Sequence, residues 1–227
     1  MKLSNVDSFQ PMKAIERPSL ADHAYECLLE ALVSGSLTGG TELNAVTLAG
    51  KFEISRTPVQ EAIRRLVADG LAVQQSGHKA RVVQFQRSDV IEIYAMRELL
   101  EGAAAEAAAK HLTSDQLAEL RITLEDLTVN SGAVGWTAQA IQADLRFHDA
   151  IASAAQNNRL REAIGKYRLL IRSLCHLTGS IQVLSDSLQE HILILESLEA
   201  RDPRGARKAM VQHIAARRDL VLKLLFA

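Results

Sequence analysis

Asp144 and His148 stand four residues apart in the stretch ADLRFHDAI, and His191 and His213 follow in SLQEHILIL and MVQHIAA. On an α-helix the i,i+4 spacing puts two side chains on one face, so Asp144 and His148 should point the same way. Each histidine has apolar residues at helical spacing: Leu145 and Ile151 around His148, Leu188 and Leu195 around His191, Met210 and Ile214 around His213. The three imidazoles and the carboxylate are therefore expected to face inward. Burying them is costly unless they satisfy one another or share a cation. Three imidazoles and a carboxylate suit zinc, nickel, iron or manganese. Tetrahedral zinc would close such a site and make it structural. A five- or six-coordinate ion would keep positions open, either for the carboxylate of a bound molecule or for hydrolysis by metal-activated water. No obvious general base accompanies the four residues.

The elements that must position these side chains are helical throughout. From Ser88 onward the pattern predicts helices over 89–111, 114–130, 137–156, 158–178, 183–201 and 203–225. Thr113 and Gln116 form a capping-box pattern, Ser131–Gly135 reads as a loop, and Asp202-Pro203 starts the last helix. Long helices joined by short loops imply an antiparallel bundle. Arg97 and Glu101 are also i,i+4 neighbours. They form either an ion pair worth a few tenths of a kcal/mol if exposed, or a guanidinium placed to take two oxygens of a bound carboxylate. The second use is favoured for Arg97; Arg146, Arg168 and Arg172 are weaker pocket candidates.

The amino-terminal part has a different organisation. Residues 1–18 are polar and aperiodic, and Pro11 and Pro18 discourage regular structure, so this stretch reads as a flexible tail. A helix starts at Ser19 with a predicted buried stripe of Leu20, Ala24, Cys27, Leu28, Ala31 and Leu32, and Gly35 stops it. A short helix covers Val46–Phe52. Thr57, Pro58 and Gln60 form a start signal in which Thr57 caps, Pro58 takes the first helical position and Gln60 completes the box. The buried stripe of that third helix is Val59, Ala62, Ile63, Leu66 and Val67. LAVQQ, SGHK and ARVVQF then read as a hairpin with Gly77 in its turn. Three helices and a hairpin is the winged helix-turn-helix order. The third helix would enter the major groove, with Arg56, Gln60 and Arg64 on one exposed face able to read base edges. Arg65, Lys51, Lys79 and Arg81 are expected to hold phosphates.

Composition fits this division. The chain has 227 residues, 48% hydrophobic, 23% charged and only 4% aromatic, which favours packed helices over a β-sandwich. A net charge of −1 gives no global sign of a nucleic-acid binder. Between Lys51 and Arg87, however, seven basic residues face three acidic ones, so a positive excess is confined to one stretch. Cys27 and Cys175 make no disulfide framework and are expected to be buried free thiols. With no apolar leader and no apolar run near the roughly 20 residues a membrane span needs, a cytoplasmic location is expected.

The stretch LAGKFEISRTPVQEAIRRLVADGLAVQQSGHKARVV resembles the DNA-binding domain of GntR-family transcriptional regulators, and residues 19–83 follow that pattern almost continuously. The resemblance implies DNA contacts from Arg56, the residue at 60, Arg64 and Gly77; Thr57, on the same exposed face, is a further DNA-binding candidate. Gln60 stands where the family usually has arginine, and Ala45 where it usually has an acidic residue, so the operator should not be copied from relatives. Residues 88–225 look like the FCD effector-binding domain of the FadR-type branch. Its metal-binding members share Asp-x-x-x-His and two later histidines, which Asp144, His148, His191 and His213 match. Asn157 matches an asparagine that opens the next helix, which implies effector binding beside Arg97.

The expected whole is mainly α: a winged helix-turn-helix over 19–86, then an all-helical effector- and metal-binding bundle over 88–227. Its expected function is that of a ligand-responsive regulator, in the sense of a repressor, that binds operator DNA as a homodimer and takes a small organic acid at a divalent metal. The alternatives are a metal-dependent hydrolase and a regulator that senses the metal itself.

Overall fold

The computed structural model of the protein describes residues 18–174 and 180–226. The expected tail over 1–18 lies outside these residues except for Pro18, and so does Cys175.

The first helices are set by polar caps. Ser19 and Asp22 form a reciprocal capping box at the start of α1 (Leu20–Val33). Asn44 accepts from the backbone of Val46 and Thr47 to open α2 (Ala45–Phe52). α3 (Arg56–Ala68) departs from the expected start: Ser55 is the cap residue, with no side-chain cap bond. The Thr57–Gln60 box does not form, because both residues already lie in the helix. Pro58 becomes the third helical residue, where its missing N–H costs nothing, since first-turn amides have no partner within the helix. The wing follows as β1 (Ala72–Val73) and β2 (Arg81–Val82), antiparallel, with Ala72 opposite Val82. Gly77 turns the hairpin with φ of 76°, a conformation only glycine adopts without strain.

The core of this part is built from Leu28, Leu32, Val59, Ala62, Leu66 and Val82 among others. On α1 the buried stripe is rotated from the expected one. Ala21, Tyr25 and Leu29 join Ala24, Leu28 and Leu32 inside, while Leu20 and Cys27 are exposed. Cys27 is thus a surface thiol rather than a buried one. The shift follows from Tyr25, whose hydroxyl donates to Asp69 at the end of α3 at 2.6 Å.

The remainder is α4 (Arg87–His111), α5 (Ser114–Val129), α6 (Trp136–Ala154), α7 (Asn158–Arg172), α8 (Ile181–Glu199) and α9 (Pro203–Phe226). Thr113 and Gln116 form the expected capping box of α5. The predicted helix over 158–178 ends at Arg172, and 175–179 lie outside the described residues. Alanines 104, 105, 108 and 109 bury one face of α4 and let α9 approach it. Gly102 has no room for more: a β-carbon there would stand 2.9 Å from Val211 Cγ2.

α7 touches both parts of the chain. Ile164 is buried in the bundle core, whereas Leu169 and Leu170 pack against the core of the amino-terminal part. Leu170 lies over Gly70, just past the end of α3.

Trp136 is 1% exposed and donates its indole N–H to the Leu127 carbonyl at 2.7 Å. Trp136→Phe should leave that carbonyl unsatisfied and cost about 1–3 kcal/mol. Thermal unfolding followed by circular dichroism checks this; an unchanged midpoint would mean that the bond contributes nothing.

Candidate functional site

α6, α8 and α9 each project one histidine to a common point inside the bundle. His148, His191 and His213 are buried, as the apolar neighbours implied. Asp144, one turn before His148, reaches the same point from a more exposed position. Each of the four offers one ligand atom, and these atoms all lie within 4.8 Å of one another. Asp144 Oδ1 is 3.5 Å from His191 Nε2 and 3.7 Å from His148 Nε2.

The outer nitrogens show how the rings are held. His148 Nδ1 meets Glu101 Oε2 at 2.5 Å, and the other oxygen of Glu101 takes Arg97 Nε at 2.7 Å. His213 Nδ1 meets Glu190 Oε2 at 2.7 Å, and Glu190 Oε1 takes Arg217 at 2.8 Å. With Nδ1–H donating to a carboxylate, Nε2 carries the lone pair, the arrangement that metal-ligating histidines use. Asp144 is held in turn by Arg168 at 3.1 Å through Oδ2, with Oδ1 toward the histidines. His191 differs: both its nitrogens are buried without a hydrogen-bond partner among the described residues, and its ring stacks on Phe147.

Glu101 and Glu190 are the residues that sequence reasoning missed in these roles. Glu101 was legible as an ion-pair partner of Arg97, but its second oxygen contacts a residue 47 positions away. Glu190 adjoins His191 in sequence yet serves His213.

Charge follows burial. The titration points of His191 and His213 are driven well below the ordinary histidine value. Burial disfavours the imidazolium, and a second positive ring would repel it; the Asp144 carboxylate opposes this without overcoming it. Burial alone would raise the Glu101 and Asp144 carboxyls. Arg97 and His148 around Glu101, and His148 and Arg168 around Asp144, reverse that and hold both well below the usual carboxylate range.

A cleft opens beside the four residues, lined by Arg97, Asp144, Arg168, Arg172, His213 and Arg217 together with aliphatic side chains. Arg97 is ion-paired with Glu101, buried and part of the cleft wall. Of the three weaker pocket candidates, Arg168 and Arg172 line the cleft, and Arg146 is exposed on another groove. Asn157 is no part of the cleft. It is exposed and caps α7 through the Leu160 amide at 3.1 Å, which explains an asparagine before that helix without any ligand.

At the other end of the molecule, Arg56, Thr57, Gln60 and Arg64 are exposed on α3, and no other described side chain engages them. Arg65 is a correction. It turns away to α1, paired with Asp22 at 2.5 Å and lying over the Tyr25 ring. In the wing, Gly77 and Lys79 are exposed, but Lys79 and Arg81 share Glu42, at 2.6 and 3.1 Å.

Two family models match the chain: "Bacterial regulatory proteins, gntR family" over residues 20–82, and the FCD domain over 92–216. The chain belongs to the GntR family and carries an FCD domain. Its similarity to other GntR regulators runs nearly end to end. It is 28% identical to the "Probable D-xylose utilization operon transcriptional repressor" of Paenarthrobacter nicotinovorans, over 90% of this chain and 89% of that one. It is 25% identical to the gluconate operon transcriptional repressor of Bacillus subtilis, over 93% and 87%. The solved structure of E. coli McbR/YncC is 25% identical, covers 90% of this chain and 98% of its own, and has a TM-score of 0.76. This GntR protein is therefore a transcription regulator and not an enzyme, which sets aside the hydrolase alternative. No described helix is long and apolar enough to cross a membrane.

The depressed titration of His191 and His213 fixes a pH dependence for the metal-free protein. Unfolded imidazoles bind protons near 6.5, while these two buried rings do not. Below about pH 6.5 the unfolded chain therefore binds more protons, and stability falls as acid is added. The thermal midpoint of chelator-treated protein should drop steadily from pH 7 toward pH 5. A flat profile would contradict two buried rings that stay neutral in the folded protein.

Proposed function

We propose that the protein is a ligand-responsive repressor, with a reader over residues 19–86 and a sensor over 88–227. The observation that carries the sensor half is the orphaned His191: two buried ring nitrogens without a partner, within ligand distance of two pre-oriented imidazoles and a carboxylate. Those donors fit a divalent zinc, nickel, iron or manganese ion. Asp144, His148, His191 and His213 would hold it, and it would supply positive charge for a small organic anion. Glu101 and Glu190 fix the tautomers of His148 and His213, and Arg168 orients Asp144. Arg97 adds a guanidinium to the same cleft.

The reader half acts on operator DNA as part of a homodimer. Arg56, Gln60 and Arg64 follow one another at four-residue steps on the free face of α3, with Thr57 at its start, and a helix in the major groove presents such residues to base edges. Gln60 suits adenine and the two arginines guanine. Gly77 and Lys79 carry the wing to the backbone. Repression is the sense supported by the relatives named as repressors.

The two halves communicate through α7. Arg168 grips Asp144 and the carbonyls of Asp144 and Leu145, and the next two residues pack against the reader. An anion that binds one arrangement of the cleft better than another then shifts the reader; equal affinity for both would shift nothing.

His191→Ala should abolish stoichiometric metal binding while the protein stays dimeric. Elemental analysis after dialysis reads this, and full occupancy would overturn the ligand assignment. Arg64→Ala should weaken specific DNA binding by about 1–3 kcal/mol with the fold intact. Unchanged affinity in a titration against the chain's own operator would remove Arg64 from recognition.

A further inference from the structure

Asp144, His213, Arg97 and Arg168 gather at the histidine end of the cleft, and the charged side chains in the rest of its wall are Arg172 and Arg217. Away from the four candidate ligands its wall is Ile141 and Leu145 of α6, Ile171 of α7, Val183 and Leu184 of α8, and Leu220 of α9. The neutral polar side chains of the lining, among the described residues, are Tyr94 and Ser187. These aliphatic positions extend in one direction. The pairs Glu190–His213 and Val183–Arg217 show that α8 and α9 run antiparallel. Val183 therefore precedes His191 at the same end at which Leu220 follows His213. At 1.5 Å per residue both lie roughly 10–12 Å along the bundle from the histidines.

We infer that the effector is an amphipathic monocarboxylate, with its carboxylate at the Asp144–histidine–Arg97 end and a hydrocarbon body of several carbons along the aliphatic wall. This rests on the proposed metal site and specifies what that site takes. A sugar acid of similar length has a hydroxyl on almost every carbon. Most of these would face aliphatic side chains and lose water without gaining a partner. A dicarboxylate would need a second cation farther along. Arg217 is already committed there to Glu190 and to the Val183 carbonyl. Arg172 is the remaining guanidinium of the wall without a carboxylate partner among the described residues, so a dianion that reaches it is the competing ligand.

Calorimetric titration of the full-length nickel-loaded protein, whose ion keeps coordination positions open beyond four protein ligands, with acetate, butyrate, hexanoate, gluconate and adipate separates these ligands. Affinity should rise about fourfold per methylene from acetate to hexanoate, and hexanoate should bind about tenfold or more tighter than gluconate or adipate. Leu220→Asn, a half-exposed position outside the bundle core, should weaken hexanoate severalfold and leave acetate unchanged. A flat chain-length series overturns the inference, as does gluconate or adipate binding as tightly as hexanoate; either result leaves the metal site standing. If no carboxylate binds, acetate included, the anion-at-metal reading fails and this inference fails with it.

Discussion

An imidazole sealed inside a bundle with neither nitrogen hydrogen-bonded is the constraint on which the sensor depends. His191 is fully buried, stacked on Phe147 and surrounded by two other rings. Burial of an unpaired polar group costs on the order of 1–3 kcal/mol in proteins. A core that needed only packing would place a leucine there. The neighbouring ligands are held from behind by carboxylates, so their free faces converge on the space that His191 also borders. The cation proposed for this site would give the unpaired ring the partner that the protein does not supply.

Two chains of the same order surround that point. Arg97–Glu101–His148 and Arg217–Glu190–His213 each run from the cleft wall through a carboxylate to an imidazole. Each glutamate divides its oxygens between a guanidinium and a ring. Removing one partner of the fully buried Arg97–Glu101 pair would strand the other charge, which is why such pairs resist substitution even when their net contribution is small. The cleft and the candidate cation site thus share their supporting side chains, so a ligand that disturbed the arginines would also disturb the histidines.

Much of this was legible in the sequence because it is local or periodic. The apolar residues around His148, His191 and His213 placed all three rings inside, and the Thr113–Gln116 box opened α5 as expected. The alternation of LAVQQ and ARVVQF located the wing, although its ladder is only two residues long in each strand. Errors arose where a long-range partner decided the outcome. The Tyr25–Asp69 bond turned α1 about its axis and exposed Cys27. Asp22 and Tyr25 claimed Arg65, which charge alone had assigned to phosphate. Asn157 is a local case instead: its side chain caps α7 through the Leu160 amide and lies outside the cleft lining. Glu101 and Glu190 could not be assigned to their histidines, because no spacing rule links residues on separate helices.

α7 meets its two neighbours within a single turn. Arg168 faces the sensor site, and Leu169 and Leu170 face the reader. Successive residues on a helix are offset by about 100°, so the angular phase between these contacts is fixed by covalent geometry and cannot be retuned by a loop. A single-residue insertion between 168 and 170 would swing one set of contacts away from its target while the other stayed engaged. The coupling proposed for this helix would be lost with them.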